Sequence, residues 1–466
     1  MSSPLTTPGV MPLDANRIRH LIAQIGEGLV ERDDQARCLV LAVLCGEHAL
    51  FIGPPGTAKS ELARRLHRLV GGRYFERLLT RFTVPEELFG PLSLNALDEG
   101  RYERLVEGYL PSATVAFLDE VFKANSAILN ALLTLLNERM FDQGAARMRV
   151  PLVTVIAASN ESPQDEALRA FQDRFLLRCP VAPVSDAGFA QLLATTQDAY
   201  PEPDAMSLEE LEATRRLAGS VSLPDRIRQD LLALRALLQR LGASVSDRRW
   251  VRIVHALKVA AITNGRSAVD LGDLWPLPFM VCETPEQFEP VRDWLAGLLG
   301  ASREVEPQWL ARVVEAFDRQ IELEASAAEI AFDDSGKLAL ARSVGGASSE
   351  EMAAAAPRLS AFSRAKRYGA SHIRARLAQI DAYAAQVDAF LARGAEHEHR
   401  VAEALRGNLW VPDAFVTRVM SVLQGNRDRI GTHRERLAKV RQAFAELPLS
   451  DRDDGRVPAE VSIDAG

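Results

Sequence analysis

Eight consecutive residues, 53–60, have the composition and spacing of a phosphate-binding loop. They follow the short apolar run Ala49–Ile52, which reads as a buried strand, and precede an amphipathic segment that reads as a helix. In that setting backbone N–H groups surround phosphate oxygens, the lysine reaches the β- and γ-phosphates, and the serine ligates Mg²⁺. The alternative is a chance Gly/Pro turn, which the order of strand, turn, Lys-Ser and helix disfavours. We therefore predict a nucleotide and Mg²⁺ site made of Gly53, Pro54, Pro55, Gly56, Thr57, Ala58, Lys59 and Ser60.

One residue of this loop departs from the usual pattern. Ala58 stands where glycine usually precedes the lysine. Alanine is compatible with the first turn of a helix. We therefore expect Ala58 to adopt that conformation and the loop to keep its shape.

Polar residues follow two further apolar runs. Asp119 and Glu120 come directly after Val115–Leu118, and Asn160 follows the run 152–157. Parallel strands end at the edge where α/β sheets bind ligands, so these side chains should lie beside the phosphate-binding loop. We predict that Asp119 holds Mg²⁺ through its water shell, that Glu120 polarises the attacking water and that Asn160 positions this water. The alternatives are an Asp-Glu pair without a catalytic role and an asparagine that only caps a turn.

Up to about residue 185, the elements that position these residues alternate between strand-like and helical patterns. Such alternation predicts right-handed βαβ crossovers and a parallel sheet with helices on both faces. After that point helical periodicity dominates, first in an all-helical region and then in three long helices with narrow apolar seams. Such helices pack most economically as an elongated antiparallel bundle.

The expected fold class is thus α/β, with a helical lid and a helical arm. The predicted segments are a flexible tail (1–13), an α/β nucleotide-binding core (14–185), a helical lid (186–285), a long-helix arm (286–450) with a short Ala/Ser/Gly-rich insertion (333–369), and a second flexible tail (451–466).

The composition of the 466 residues is that of a soluble, multidomain globular protein. The net charge is −8 and both signs are spread along the chain, which argues against a non-specific electrostatic grip on nucleic acid. The four cysteines lie far apart and mostly within apolar runs, a spacing typical of reduced, buried thiols. No stretch approaches the ~18 apolar residues of a membrane span, and no signal-peptide pattern is present. We predict a cytoplasmic protein.

Taken together, the motifs resemble those of AAA+ ATPases, and among these the MoxR class and most closely its RavA branch. The resemblance covers about residues 16–285 densely and the terminal helices loosely. It implies a P-loop core with a parallel sheet, an all-helical lid and an antiparallel helical arm. Besides the loop, Asp119-Glu120 and Asn160, it is carried by Thr80–Phe82, Pro85–Ser93, Glu99–Leu105, Gly108–Pro111, Leu135–Arg139, Ala167–Phe175 and Val245–Trp250.

The resemblance also implies a homohexameric ring that hydrolyses ATP, with Mg²⁺, between neighbouring subunits. Arg174, in an Asp-Arg-Phe triplet, would be the arginine finger that reaches the next subunit's γ-phosphate; the alternative is a salt-bridged arginine at a helix end. Arg248 would be the lid sensor that contacts ATP, either from within its own subunit or across the interface. Arg249 is the competing candidate for binding the nucleotide, because sequence cannot separate two adjacent arginines.

Two hairpins are implied as well, at Ser93–Leu110 and Glu138–Val150. In the family such hairpins would face a central pore and transmit the nucleotide state to a client. Ordinary surface hairpins are the alternative.

For the function, the resemblance implies remodelling or assembly of protein complexes together with a partner that contains a von Willebrand factor A domain. The RavA branch also carries a large inserted module that binds a lysine decarboxylase, and the short insertion 333–369 argues against that partner. A nucleic-acid motor is the alternative function, but acidic residues outnumber basic residues in 93–110. A third hypothesis, a scaffold that binds nucleotide without turnover, would require a damaged site, and Lys59, Asp119, Glu120 and Asn160 are all present.

Overall fold

The computed structural model describes residues 12–144, 146–163, 165–194, 205–300, 308–329, 367–453 and 455–461. The chain forms two compact units. The first comprises the chain up to Leu299 together with Glu403–Thr417, and the second comprises Gly300–Ala402 and the chain from Arg418 onwards. Most of the predicted insertion, 333–366, lies outside the described residues, as do residues 1–11 of the predicted tail.

Helices and strands alternate through the first 180 residues, as the sequence pattern predicts. In chain order they are α1 (Ala15–Gly26), α2 (Asp33–Cys45), β1 (Ala49–Ile52), α3 (Lys59–Val70), β2 (Tyr74–Leu78), α4 (Pro85–Phe89), α5 (Leu94–Asp98), β3 (Val115–Asp119), α6 (Ser126–Glu138), β4 (Met140–Gln143), β5 (Ala146–Arg149), β6 (Thr154–Ser159), α7 (Glu166–Gln172) and β7 (Leu177–Pro180).

Five of these strands form a parallel sheet in the order β2-β3-β6-β1-β7, which confirms the predicted fold class. β1 and β6 lie side by side in the middle, with Ala49 opposite Ile156 and Ile52 opposite Ser159. Because all five strands run the same way, the ends of β1, β3 and β6 meet at one edge of the sheet, here called the carboxyl edge. The opposite edge is called the amino edge. β4 and β5 form a separate antiparallel hairpin.

Two strands of the sheet, β2 and β7, have no apolar run in the sequence. Both lie at the sides of the sheet; β2 is partly exposed, whereas β7 is as buried as β1. In β2 the polar residues Glu76 and Arg77 interrupt the apolar ones, and β7 contains Arg178 and ends in Pro180. The strand predicted at 152–157 begins and ends two residues later, at Thr154 and Ser159.

Side-chain caps explain where two of the helices begin. The carboxylate of Asp14 accepts the N–H of Arg17 at 2.8 Å and caps α1, and the amide oxygen of Asn125 accepts the N–H of Ile128 at 3.1 Å and caps α6. The apolar face of α1 is buried; it consists of Ile18, Leu21, Ile22 and Ile25.

In the described residues after β7 the regular elements are helices, in agreement with the predicted all-helical lid. α11 packs against α9 and against α2, so the lid and the sheet domain share one hydrophobic interior within the first unit. The lid helices are α8 (Asp186–Ala194), α9 (Leu208–Ala218), α10 (Asp225–Arg240), α11 (Asp247–Thr263), α12 (Leu277–Val281) and α13 (Pro285–Gly300).

Three long helices supply most of the second unit: α14 (Gln308–Glu329), α15 (Ala370–Gly407) and α16 (Asp413–Ala445). Their apolar seams meet in one core, as the periodicity predicts; Phe317, Ile380 and Leu437 represent the three helices in it. Among the helices that the structure describes, none is both long enough and apolar enough to cross a membrane.

The turn between α15 and α16 belongs to the first unit and is anchored by a tryptophan. Trp410 has no exposed surface, and its indole N–H donates to Thr263 Oγ1 at 3.0 Å. The N–H of Leu409 donates to Asn264 Oδ1 at 2.8 Å. Both acceptors lie at the carboxyl end of α11, so the turn is hydrogen-bonded to this lid helix.

Candidate active site

The loop between β1 and α3 requires glycine at two positions. A Cβ atom on Gly53 would lie 2.0 Å from the carbonyl oxygen of Val181, and Gly56 has a φ of +78°. The hydroxyl of Thr57 donates to the carbonyl of Pro54 at 2.9 Å and ties the loop together. The first turn of α3 follows directly, so its unpaired N–H groups face the loop. This arrangement suits a bound phosphate chain.

Ala58 adopts a left-handed backbone conformation, with φ 66° and ψ 22°, immediately before α3. The expectation of a first-turn helical conformation is therefore wrong. Glycine enters the left-handed region freely, whereas a residue with a Cβ atom loses about 1–2 kcal/mol there. The loop still connects β1 to α3, and the strain of the left-handed conformation is located at Ala58.

Ala58→Gly should raise the free energy of unfolding by about 1 kcal/mol, because the strain that it removes exceeds the extra entropy of an unfolded glycine. The thermal midpoint of the purified chain measures this change. Ala63→Gly is the matched control, since Ala63 lies inside α3 and the same substitution there should lower stability by about 1 kcal/mol. A lower midpoint for Ala58→Gly would show that the loop holds no such strain.

The side chain of Lys59 curls back over the loop. Its ammonium group donates to the carbonyl oxygens of Gly53 and Pro54, both at 2.7 Å, and the residue is 8% exposed. Burial lowers the pKa of Lys59, and the negative charges of Asp119 and Glu120 oppose that shift. The loop lysine and the two carboxylates therefore lie close enough to act on one ligand.

Asp119 and Asn160 reach the same edge from neighbouring strands. Asp119 ends β3, and Asn160 follows the last residue of β6, which lies between β3 and β1. The N–H of Gly53 donates to the carbonyl of Ser159 at 3.0 Å, so Asn160 stands directly beside the loop, and it is exposed. The sheet thus brings together the residues that the sequence places at three separate strand ends.

Glu120 occupies a strained turn after β3, with a φ of +53°. The Oε2 atom of its carboxylate lies 3.3 Å from the ammonium Nζ of Lys123 in an ion pair, and this buried oxygen accepts no well-aligned hydrogen bond from any described residue. Left-handed backbone at a non-glycine residue is typical of functional sites. A carboxylate oxygen with spare accepting capacity can orient and polarise a water molecule.

The oxygen donors at this edge fit Mg²⁺. The hydroxyl of Ser60 lies in the first turn of α3 and the carboxylate of Asp119 at the end of β3, and Mg²⁺ prefers a few such oxygens together with phosphate oxygens and water. In the described ranges, no group of three or more His, Cys, Asp or Glu residues has the arrangement of a metal site. These donors suit an ion that arrives with a nucleotide.

Arg32 supports the loop from behind, and no motif in the sequence identifies it. It is 5% exposed; its Nε donates to the carbonyl of Thr57 at 3.1 Å and its Nη2 to that of Ala182 at 2.8 Å. It thereby joins the turn before α2, the phosphate-binding loop and the segment after β7. In the sequence it reads as an arginine beside Asp33 and Asp34 at a helix start, which suggests ordinary ion pairing.

Arg174 lies at the amino edge of the sheet, away from the loop of its own chain. It shortly precedes β7, whose first residue, Leu177, pairs with Ala49 at the start of β1. Its Nε atom is buried, and no hydrogen bond reaches that atom within the described part of the chain. A nucleotide held by the phosphate-binding loop would therefore lie at the other end of β1 from this side chain.

The two adjacent lid arginines have different environments. Arg249 is 1% exposed, and its guanidinium group donates to the carbonyl oxygens of Phe175 at 3.0 Å and Leu176 at 2.7 Å. This burial leaves no path to a nucleotide, so Arg249 does not fit the cofactor-binding role. Arg248 is exposed and lies 3.6 Å from Asp173, which places it at the amino edge with Arg174.

Of the two expected hairpins, one is paired strands and the other is not. β4 and β5 form a hairpin within Glu138–Val150, with Gly144 at its turn. At Ser93–Leu110 a single antiparallel bridge, between Leu92 and Arg104, closes a loop that contains the short helix α5. The side-chain amide of Gln143 donates to the carbonyl of Arg104 at 2.9 Å, so the hairpin and the loop are in contact.

Comparison with known proteins agrees with this architecture in both parts of the first unit. Residues 16–215 match the family described as the MoxR domain in the MoxR-vWA-beta-propeller ternary systems, and residues 226–295 match the AAA lid domain.

Relatives of known sequence also match long stretches of this chain. The uncharacterised protein MJ0812 of Methanocaldococcus jannaschii is 38% identical over 269 residues, which are 58% of this chain and 72% of that protein. The uncharacterised protein MJ0079 of the same organism is 39% identical over 264 residues, 56% of this chain and 69% of that protein. Protein MoxR of Paracoccus denitrificans is 30% identical over 152 residues, 31% of this chain and 44% of that protein. The chain has a P-loop at the carboxyl edge of a parallel sheet, followed in the sequence by an AAA lid domain, and it belongs to the MoxR class of AAA+ ATPases.

Proposed function

We propose that this chain hydrolyses ATP between neighbouring copies in a ring and uses the cycle to remodel or assemble a protein complex. The observation that carries the proposal is the separation of the predicted site into two halves. The phosphate-binding loop, Asp119, Glu120 and Asn160 lie at the carboxyl edge, whereas Arg174 and Arg248 lie at the amino edge. A head-to-tail neighbour would bring its Arg174 and Arg248 to the phosphate-binding loop, which has no arginine of its own.

In this proposal each residue acts at a defined atom. The ammonium group of Lys59 exchanges its loop carbonyls for oxygens of the β- and γ-phosphates. The carboxylate of Glu120 orients and polarises a water molecule, which the amide of Asn160 holds in line with the γ-phosphate. The neighbour's Arg174 and Arg248 stabilise the charge that develops on the transferred phosphoryl group. When bound at Ser60 and Asp119, Mg²⁺ neutralises phosphate charge.

The assembly and its partners are part of the same proposal. Six copies per ring is the number that the resemblance implies. The matched family description names a system of MoxR, vWA and β-propeller proteins, which supports a partner with a von Willebrand factor A domain. The RavA branch stays a prediction from sequence motifs and the helical arm. The cytoplasmic location rests on the cysteine spacing, which fits reduced thiols.

The side chains of two surface loops favour a protein client over a nucleic acid. In Ser93–Leu110, Arg101 forms ion pairs with Glu99 and Glu103, and in the hairpin Arg147 pairs with acidic neighbours in the same way. Arginines that are already paired offer little to a phosphate backbone. The same loop exposes several apolar side chains, which suit a polypeptide: Leu94, Leu97, Tyr102 and Leu105.

The test of ATP hydrolysis is phosphate release by the purified chain with ATP and Mg²⁺. We expect the wild type to turn over and Lys59→Ala to lose both turnover and the binding of a fluorescent ATP analogue, because no other group supplies the loop's positive charge. Lys439→Ala is the control, since it removes an exposed lysine from α16. Equal turnover by Lys59→Ala and the wild type would overturn the assignment of the site.

A further inference from the structure

Four consecutive backbone carbonyls are held by two arginines of the lid helix α11. Residues 173–176, here called the finger segment, contain Arg174 between the end of α7 and the start of β7. Arg249 donates to three of these carbonyls and Arg252 to the fourth. The distances are 3.2 Å to Asp173, 3.1 Å to Arg174, 3.0 Å to Phe175 and 2.7 Å to Leu176.

Arg252 ties this contact to the sheet domain through a carboxylate. Its Nε donates to Glu47 Oε1 at 2.9 Å, and its Nη2 also contacts the second carboxylate oxygen of Glu47. Glu47 lies in the turn between α2 and β1, and both side chains are largely buried, with 12% of Glu47 and 22% of Arg252 exposed. A planar guanidinium group can bind a carboxylate along one side and a carbonyl along the other, and an ammonium group cannot.

We propose that Arg252 is a positioning residue for Arg174: it holds the backbone of the finger segment so that the Arg174 side chain is presented to the neighbouring subunit. The inference rests on the proposed function, in which Arg174 acts on the neighbour's nucleotide. Arg248 lies one helical turn before Arg252 on α11, so the same lid helix presents both arginines of the amino edge. A movement of the lid would therefore move the finger with it.

Arg252 is better suited to a test than Arg249, whose complete burial makes its replacement a threat to folding. We expect Arg252→Ala to lower kcat about 10- to 100-fold through displacement of the finger, with the KM for ATP changed less than about twofold. Arg252→Lys should recover little of this loss, since lysine cannot bridge Glu47 and the carbonyl of Arg174.

Mixing experiments separate a positioning role from a structural one. Glu120→Gln has an inactive loop site but an intact finger, so a mixture of Arg252→Ala with Glu120→Gln should regain turnover. A mixture of Arg252→Ala with Arg174→Ala should stay at the low rate of the separate variants, because neither variant supplies a correctly placed finger. A variant that is merely unstable would not follow this pattern of complementation.

Arg215→Ala is the matched control. Arg215 also joins the lid to the sheet domain through two carbonyls, those of Leu44 at 3.0 Å and Val43 at 2.6 Å, but does not touch the finger segment. We expect Arg215→Ala to lower the thermal midpoint as much as Arg252→Ala does and to keep wild-type kcat.

The outcomes also separate this inference from the proposed function. If Arg174→Ala and Glu120→Gln complement each other while Arg252→Ala keeps wild-type kcat, the positioning role is wrong and the shared site stands. If Arg174→Ala and Glu120→Gln fail to complement, the shared site itself is wrong.

Discussion

Glu120→Gln should lower the kcat for ATP hydrolysis by about 10²–10⁴-fold and leave ATP binding near the wild-type level. Glutamine keeps the size of the side chain but cannot accept a proton from the attacking water. Binding depends instead on the loop, where Lys59 and the glycine-shaped backbone remain intact. Single-turnover phosphate release and the affinity for a fluorescent ATP analogue measure the two effects separately.

The control for Glu120→Gln is Glu435→Gln, which neutralises an exposed carboxylate of α16 and should keep full activity. Normal hydrolysis by Glu120→Gln would remove Glu120 from the mechanism.

The Glu120→Gln variant should also trap bound partners, because it holds ATP without hydrolysing it. Incubated with ATP in native lysate, it should retain a protein partner after nuclease treatment. Retained material that disappears with nuclease would favour the nucleic-acid motor instead.

Arg174→Ala should lower kcat by about 10³–10⁵-fold, which is the usual contribution of an arginine finger to nucleotide hydrolysis. The structure gives a reason to expect that this defect acts between chains. Arg174 lies beside the start of β7, at the amino edge, whereas the phosphate-binding loop follows the end of the adjacent strand β1. Loss of the side chain should therefore impair the site of the neighbouring copy and not the site of its own chain.

Mixing tests that expectation directly. Arg174→Ala carries an intact loop site and Glu120→Gln carries an intact finger, so each should be inactive alone. An equal mixture should recover about a quarter of the wild-type rate, since that share of randomly formed interfaces pairs a good loop with a good finger. Arg228→Ala, which removes an exposed arginine of α10, serves as the control variant. Full activity of Arg174→Ala alone would exclude a finger role.

The sequence predicts the half of the site that lies at the carboxyl edge because its signals are local. Central parallel strands are buried on both faces and therefore read as apolar runs, and each run is followed at once by its functional residue. The loop after β1, Asp119 and Glu120 at the end of β3, and Asn160 after β6 all follow this rule. The long helices of the arm are predicted for a similar reason, since their buried seams repeat at helical spacing.

The conformation of Ala58 and the separation of Arg248 from Arg249 depend on tertiary structure. The left-handed turn at Ala58 is imposed by how β1 and α3 are joined, against the preference of the residue itself. Adjacent helical residues point about 100° apart, and only the packing of α11 on the finger segment decides that Arg249 is buried while Arg248 is exposed.

The amino edge shows most clearly what sequence alone leaves open. Arg174 is a recognisable residue, but its position opposite the loop follows from β7, a short side strand without an apolar run. No sequence motif identifies Arg32 or Arg252, because each donates to backbone carbonyls of segments that are distant in the chain. Sequence by itself determined the fold class and the residues that follow the central strands, since both depend on burial of neighbouring residues. Only the tertiary structure decided which side chains face a second copy, because that depends on contacts between distant segments.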